Sequence, residues 1–171
     1  MEAMIEIVQA RTSEQLDKVR ALIRAFIGCH RATHIADIER IDRYFDPVAF
    51  EAELAGLPCK YAPPQGALLL ALIDGQPAGC VAMRDLGDRR CEMKRMFVPG
   101  AFRGHGVGRG LAEAIIAAAK RAGYASMRPD TSKNQLDAIR LHERVGFVRT
   151  APYYELSDAL RDWLVFYEKA L

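Results

Sequence analysis

The chain has no long apolar run, no paired cysteines and almost no net charge. Its longest apolar stretch, near Ala67–Ile73, falls far short of the roughly 20 residues a membrane-spanning helix needs. No membrane partner is therefore expected. The opening "MEAMIEIVQA" lacks a basic segment followed by a long apolar one, so no signal peptide is expected and the reading is cytoplasmic. Cys29, Cys59, Cys80 and Cys91 are scattered without C-x-x-C spacing, and the four histidines show no metal-ligand pairing. The expectation is reduced thiols and no metal. With 24 basic and 22 acidic residues, a balance of +2, nothing recommends nucleic acid as a partner. A G-x-x-x-x-G-K-[ST] phosphate loop is missing too.

What is present is ordinary for one globular domain over 1–171, with 50% apolar and 27% charged residues. "MIEIVQA" alternates as a strand. A helix over Thr12 to about Ile27 follows, with Thr12 or Ser13 as its cap and Leu16, Val19, Leu22 and Phe26 at helical spacing. A second helical patch covers roughly His34–Phe45 and a short third Val48–Leu54. Two apolar runs flanking Asp74-Gly75-Gln76-Pro77 read as a hairpin, and Cys91–Val98 as a further strand. "YASMRPDT", "FVRT" and "WLVFYEKAL" are the remaining strands, with a helix over Asn134–Val145 closed by Gly146. The order predicts an α/β or α+β domain with helices on both faces of the sheet.

One stretch asks for an explanation. "FRGHGVGRGL" puts Gly104, Gly106 and Gly108 between Arg103 and Arg109, directly before an alanine-rich helix. Glycine costs backbone entropy and packs nothing. At a helix N-terminus, however, bare backbone lets an anion reach the unpaired N–H groups and the positive end of the helix dipole. The flanking arginines are fork-shaped donors suited to phosphate. Arg84–Arg109 holds seven basic and three acidic residues, whereas His34–Ala55 holds six acidic and two basic, so charge is local although the total is near zero. The glycine spacing G-x-G-x-G is not the dinucleotide fingerprint.

"MFVPGAFRGHGVGRGL" resembles the acyl-CoA-binding loop of the GNAT N-acetyltransferase superfamily, [Q/R]-x-x-G-x-[G/A], filled by Arg103, Gly106 and Gly108. "NQLDAIRLHERVGF" is similar to the family's second motif, and the element order agrees from about Ile5 to Lys169. The resemblance implies a central mixed, mostly antiparallel twisted sheet flanked by helices. It implies acetyl-CoA as co-substrate, with the backbone of Met96, Phe97 and Val98 pairing with the pantetheine arm. The N–H groups of Gly104, His105, Gly106, Val107, Gly108 and Arg109 would hold the pyrophosphate, and Asn134 would face the pantetheine. Two positions depart from the family: Pro99 precedes Gly100 where the family commonly has proline, and His142 stands where a tyrosine often protonates the departing thiolate.

Acetyl transfer to an amine needs a neutral amine, and neutralising an alkylamine of pKa ~10.4 at pH 7 costs about 4.6 kcal/mol. Glu92 is the candidate base, alternating onto the face of Lys94, Met96 and Val98; pairing with Lys94 or Arg90 is its alternative. Tyr153, Tyr154 and His142 are candidates for the acid, with packing roles as alternatives. Asp37, Glu39, Asp42 and Asp46 could attract a cationic acceptor or form a solvated face. The expected function is an N-acetyltransferase acting on a small-molecule or peptide amine in a ternary complex. The rival is a non-catalytic acyl-CoA-binding sensor or partner domain, favoured by His142. A homodimer stays open.

Overall fold

The computed structural model describes residues 4–171; the first three residues of the segment read as lacking a signal lie outside them. β1 (Ile5–Gln9) leads to α1 (Ser13–Thr33), longer by six residues than its apolar spacing indicated. Thr12 is its cap: the hydroxyl accepts from Gln15 N–H at 3.2 Å while the Gln15 side chain accepts from Thr12 N–H at 3.1 Å, closing a capping box. The acidic patch breaks into a 3-10 turn at Ile35–Asp37, then α2 (Ile38–Tyr44) and α3 (Pro47–Ala55). Pro47 stops one helix and starts the next, with Asp46 accepting from Ala49 N–H at 2.9 Å.

The expected hairpin follows as β2 (Ala67–Ile73) and β3 (Gln76–Gly87), then β4 (Arg90–Phe97). α4 (Val107–Arg121) crosses back to β5 (Ser126–Ser132). α5 (Leu136–Arg144), β6 (Val148–Thr150), the short α6 (Asp158–Arg161) and β7 (Leu164–Ala170) complete the chain. The described strands form one sheet in the order β1-β2-β3-β4-β5-β7-β6. Its pairs are antiparallel except β4 with β5, which needs α4 as a crossover. This is the mixed, mostly antiparallel sheet the resemblance implied.

Two cores cover the sheet. α1, α2 and α3 bury Val19, Ile23, Ile41 and Leu54 against Leu68, Leu70, Ala82 and Phe97. α4 packs Leu111, Ile115 and Ala119 against Ala71, Val81, Met83 and Met127 on the other face. Because both faces of β2 are covered, its sequence is a continuous apolar run and does not alternate. Gly79 lets α4 approach closely: a Cβ there would lie 2.9 Å from both Leu111 Cδ1 and the Phe97 carbonyl oxygen. That contact sets α4 tight on the strand pair that carries the site. No described helix is long and apolar enough to cross a membrane.

Candidate active site

β4 and β5 pair only over Arg90–Met93 with Ser126–Pro129, then part. Pro129 has no N–H to continue the ladder, and β4 is deformed at Arg95, whose φ of 57° is left-handed. Between Cys80↔Phe97 and Ala82↔Lys94 the register shifts, the mark of a β-bulge. The β5-facing backbone of Lys94–Phe97 is left without a strand partner, beside a cleft between β4 and β5. The bulge also re-aims side chains. Glu92, Lys94 and Phe97 face α1 and α2, and Arg95 turns to that side to meet Glu53 and the rings of Phe45 and Phe50. Met96 and Val98 instead pack on the α4 face. The expectation that Glu92 shares a face with Met96 and Val98 is thus corrected: one extra residue ends the alternation.

Just beyond this same end of β4, Gly106 has φ 81° and caps α4. The first helical bond is Gly110 N–H to the Gly106 carbonyl at 2.9 Å, and among the described residues no side chain caps the end, which leaves the Val107, Gly108 and Arg109 N–H groups free there. A Cβ on Gly104 or Gly106 would meet nothing within 4 Å, so the approach to these groups is open. The arginines are engaged elsewhere: Arg103 Nε donates to the Val98 carbonyl at 3.2 Å and Arg109 pairs with Glu113 at 2.7 Å. Asn134 donates to Asp37 at 2.6 Å. The predicted acidic attractor is largely spent on such ties, because Asp37 also holds Arg40, Asp42 pairs with Arg31 and Asp46 caps α3.

The cleft wall is polar where it is deepest. Lys94 Nζ donates to Tyr44 Oη at 2.6 Å and Asp130 at 2.9 Å, with Glu92 at 3.6 Å. Asp130 also accepts from Tyr44 at 2.8 Å and from Tyr154. Burial opposes both charges of the Lys94–Asp130 pair, but each holds the other ionised: Lys94 is pushed up and Asp130 down. Glu92 lies behind Lys94, fully buried, accepting from Arg84 Nε at 2.7 Å and Tyr153 Oη at 2.8 Å. It has no face on the cleft, and neither do Tyr153 and Tyr154, whose phenols burial and the adjacent carboxylates raise well beyond the usual tyrosine value. Of the four candidate acid–base residues, the cleft is lined by His142 alone.

Buried polar atoms without hydrogen-bond partners gather in this cleft. Nδ1 of His30 and of His142 and Oγ of Ser132 have none among the described residues, and each of these three is at most 4% exposed. The Trp163 indole N–H, on the same wall, faces the Asp37 carboxylate without forming a hydrogen bond. Such atoms are costly unless something pairs with them. Burial holds both imidazoles low, at about 4, so both are neutral near pH 7. The two buried thiols, Cys80 and Cys91, are pushed by burial to about 12 and offer no thiolate.

The chain matches the acetyltransferase (GNAT) family over residues 22–147. It belongs to that family. An uncharacterised N-acetyltransferase of Schizosaccharomyces pombe is 42% identical over 104 residues, 60% of this chain and 64% of that one. The chain spans 30% and 42% of two further relatives, from Dictyostelium discoideum and Mus musculus, so it covers less than two thirds of each. In fold, it resembles an acetyltransferase of Streptococcus agalactiae (TM-score 0.73, 21% identity, 98% of each chain). It also resembles YncA of Salmonella typhimurium, solved with acetyl-CoA (TM-score 0.61, 21% identity, 97% of this chain and 93% of that one).

In this GNAT chain the residues missed by sequence reasoning are Tyr44, Arg95, Asp130 and His30. None belongs to a short motif. Only Arg95 carried a hint, being a third charged residue in a strand that alternation would have made half apolar.

Proposed function

We propose that the protein transfers an acetyl group from acetyl-CoA to a primary amine by direct attack, with both substrates bound together. The observation that carries this is the opened β4–β5 ladder, whose free backbone and unpartnered buried polar atoms adjoin the open glycine turn. Acetyl-CoA supplies an activated thioester. The N–H groups of Val107, Gly108 and Arg109 hold the pyrophosphate, each charge-assisted bond contributing on the order of 1.5–3 kcal/mol. Unpaired N–H groups of β4 beside the bulge pair with the pantetheine arm and polarise the carbonyl.

His142 supports the leaving sulfur. Its ring is neutral and faces the cleft from α5, the position of the family's usual acid, so its N–H donates a hydrogen bond while water completes the protonation. Proton removal from the attacking nitrogen runs through His30, across the cleft on α1, whose unpartnered Nδ1 offers a lone pair; a ring held near 4 does not keep the proton and passes it on to solvent. Glu92 is a positioning residue in this reading: sealed behind Lys94, it fixes the ammonium that in turn fixes Asp130 and Tyr44. The sealing of Glu92 and Tyr153 is what favours a binding-only sensor instead.

The deciding experiment is acetyl-CoA-dependent acetylation of a panel of amines, read by mass spectrometry of the product. Acetylated product that falls at least tenfold in His30→Gln supports the enzyme and its base. Acetyl-CoA binding with no acetylation of any amine supports the sensor.

A further inference from the structure

A second space adjoins the cleft and has no role in the chemistry above. It is a cavity of about 370 Å³ between α3, the 3-10 turn at Cys59–Tyr61 and the bulge of β4. Tyr44, Phe45 and Arg95 wall both this cavity and the cleft, so a ligand whose nitrogen lies in the cleft reaches it past the bulge.

Arg95 dominates the cavity. Its guanidinium is fixed by the rings of Phe45 and Phe50, 5.2 and 5.8 Å from the centroids. Nε and Nη2 donate to the two oxygens of Glu53 at 2.8 and 3.2 Å, which spends one edge of the fork. A guanidinium has five N–H donors, and those of the outer edge, Nη1 with the second hydrogen of Nη2, have no partner among the described residues. Lys60 brings a second cation, 2.7 Å from the same Glu53 carboxylate. Glu53 is fully committed, accepting from Arg95, Lys60 and, at 3.0 Å, Tyr61. The other acid of the wall, Asp46, is turned to cap α3. The cavity therefore presents unspent cationic donors and no unspent acid. Arg95 is held in a left-handed conformation that side chains other than glycine seldom adopt, at a cost of about 1–2 kcal/mol, and the bulge aims it here.

We propose that this cavity is the acceptor's tail subsite and takes a carboxylate on the outer edge of Arg95 with Lys60, so that the acceptor is an amine that also carries an acid group. The inference rests on the amine-acetylating reading. The two ends differ in charge: in the cleft Asp130 is balanced by Lys94 and the imidazoles are neutral, whereas the tail end holds the unspent donors of Arg95 and Lys60. The cavity's size accommodates a side chain besides the carboxylate.

The test compares matched pairs, L-phenylalanine with phenethylamine and 4-aminobutyrate with butylamine. Binding is measured by calorimetry on the CoA-saturated protein, and acetylation separately by mass spectrometry. The carboxylate member of at least one pair should bind about tenfold or more tighter than its partner, as a charge-assisted fork requires. Arg95→Gln should erase that preference, and exposed Lys60→Met, which leaves the Arg95–Glu53 pair intact and thus the fold, should reduce it several-fold. Equal or weaker binding of every carboxylate member, or a preference untouched by both variants, overturns the subsite. Carboxylate-dependent binding without acetylation would retain the subsite and overturn the acetyltransferase reading. Acetylation without a carboxylate preference would do the reverse.

Discussion

Buried imidazoles give the site a pH signature at the scale of single residues. His30 is held low by burial first and by neighbouring His34 second, and His142 by burial, both at about 4 against an ordinary 6.5. An unfolded chain takes up these protons below about pH 6.5, the folded one only near 4. Their stabilisation is therefore complete above 6.5 and is lost as pH falls toward 4, about 3 kcal/mol for each ring. Glu53 adds a second, lower step. Burial opposes its charge, but Arg95 and Lys60 outweigh it and hold the carboxyl at about 2 against 4.5, so its contribution fades between those values. Denaturant titrations from pH 7.5 to 2 should show stability falling steadily. The double variant His30→Gln, His142→Gln should flatten the upper part of that slope and leave the lower part, which Glu53→Gln removes.

At the scale of elements, two glycines carry opposite kinds of duty. Gly79 is a packing necessity: its missing Cβ is occupied by Leu111 and the Phe97 carbonyl at 2.9 Å. Gly79→Ala should cost roughly 1–3 kcal/mol by pushing α4 off the sheet, seen as a lower denaturation midpoint. Gly106 is open on all sides, so a side chain there meets only the strain of φ 81°, about 1–2 kcal/mol. Gly106→Val should nevertheless weaken coenzyme A binding at least tenfold by calorimetry, because its branches stand where an anion approaches the free N–H groups. Unchanged affinity would remove the turn from the binding site.

The same scale explains what could be read in the sequence. The hairpin at Asp74-Gly75, the cap at Thr12 and the glycine turn were legible because a few neighbouring residues determine them. The division of the His34–Ala55 patch at Pro47 into two helices was legible too, whereas the 3-10 turn at Ile35–Asp37 that opens the first was not. The interior of the site was not legible. Tyr44 and Asp130 meet across 86 positions of chain, and no local pattern announces such a bond. Glu92 was assigned to the wrong company because alternation holds only while strands are regular, and the bulge at Arg95 breaks it within the one strand that matters.

For the whole molecule, the β4–β5 junction joins β1–β4 to β5–β7 through four register pairs, Arg90–Met93 with Ser126–Pro129. A ligand laid along the free part of β4 would bridge the two parts. Acetyl-CoA at a hundred times its Kd should add about 2.7 kcal/mol to global stability. For a chain of this length that is a rise in Tm of very roughly 5–11 °C. Hydrogen exchange should slow most in Lys94–Phe97 and at the start of α4.

That junction also gives the fold a grain, like timber that splits along one line. Strain between the two parts falls on these four pairs, and the chain passes from one part to the other through 98–106, α4 and the short segment 122–125. A molecule that binds across such a line acts as a dowel. Losing it would loosen that joint, so the supply of acyl donor would register as mechanical tightness in a protein whose core had not changed.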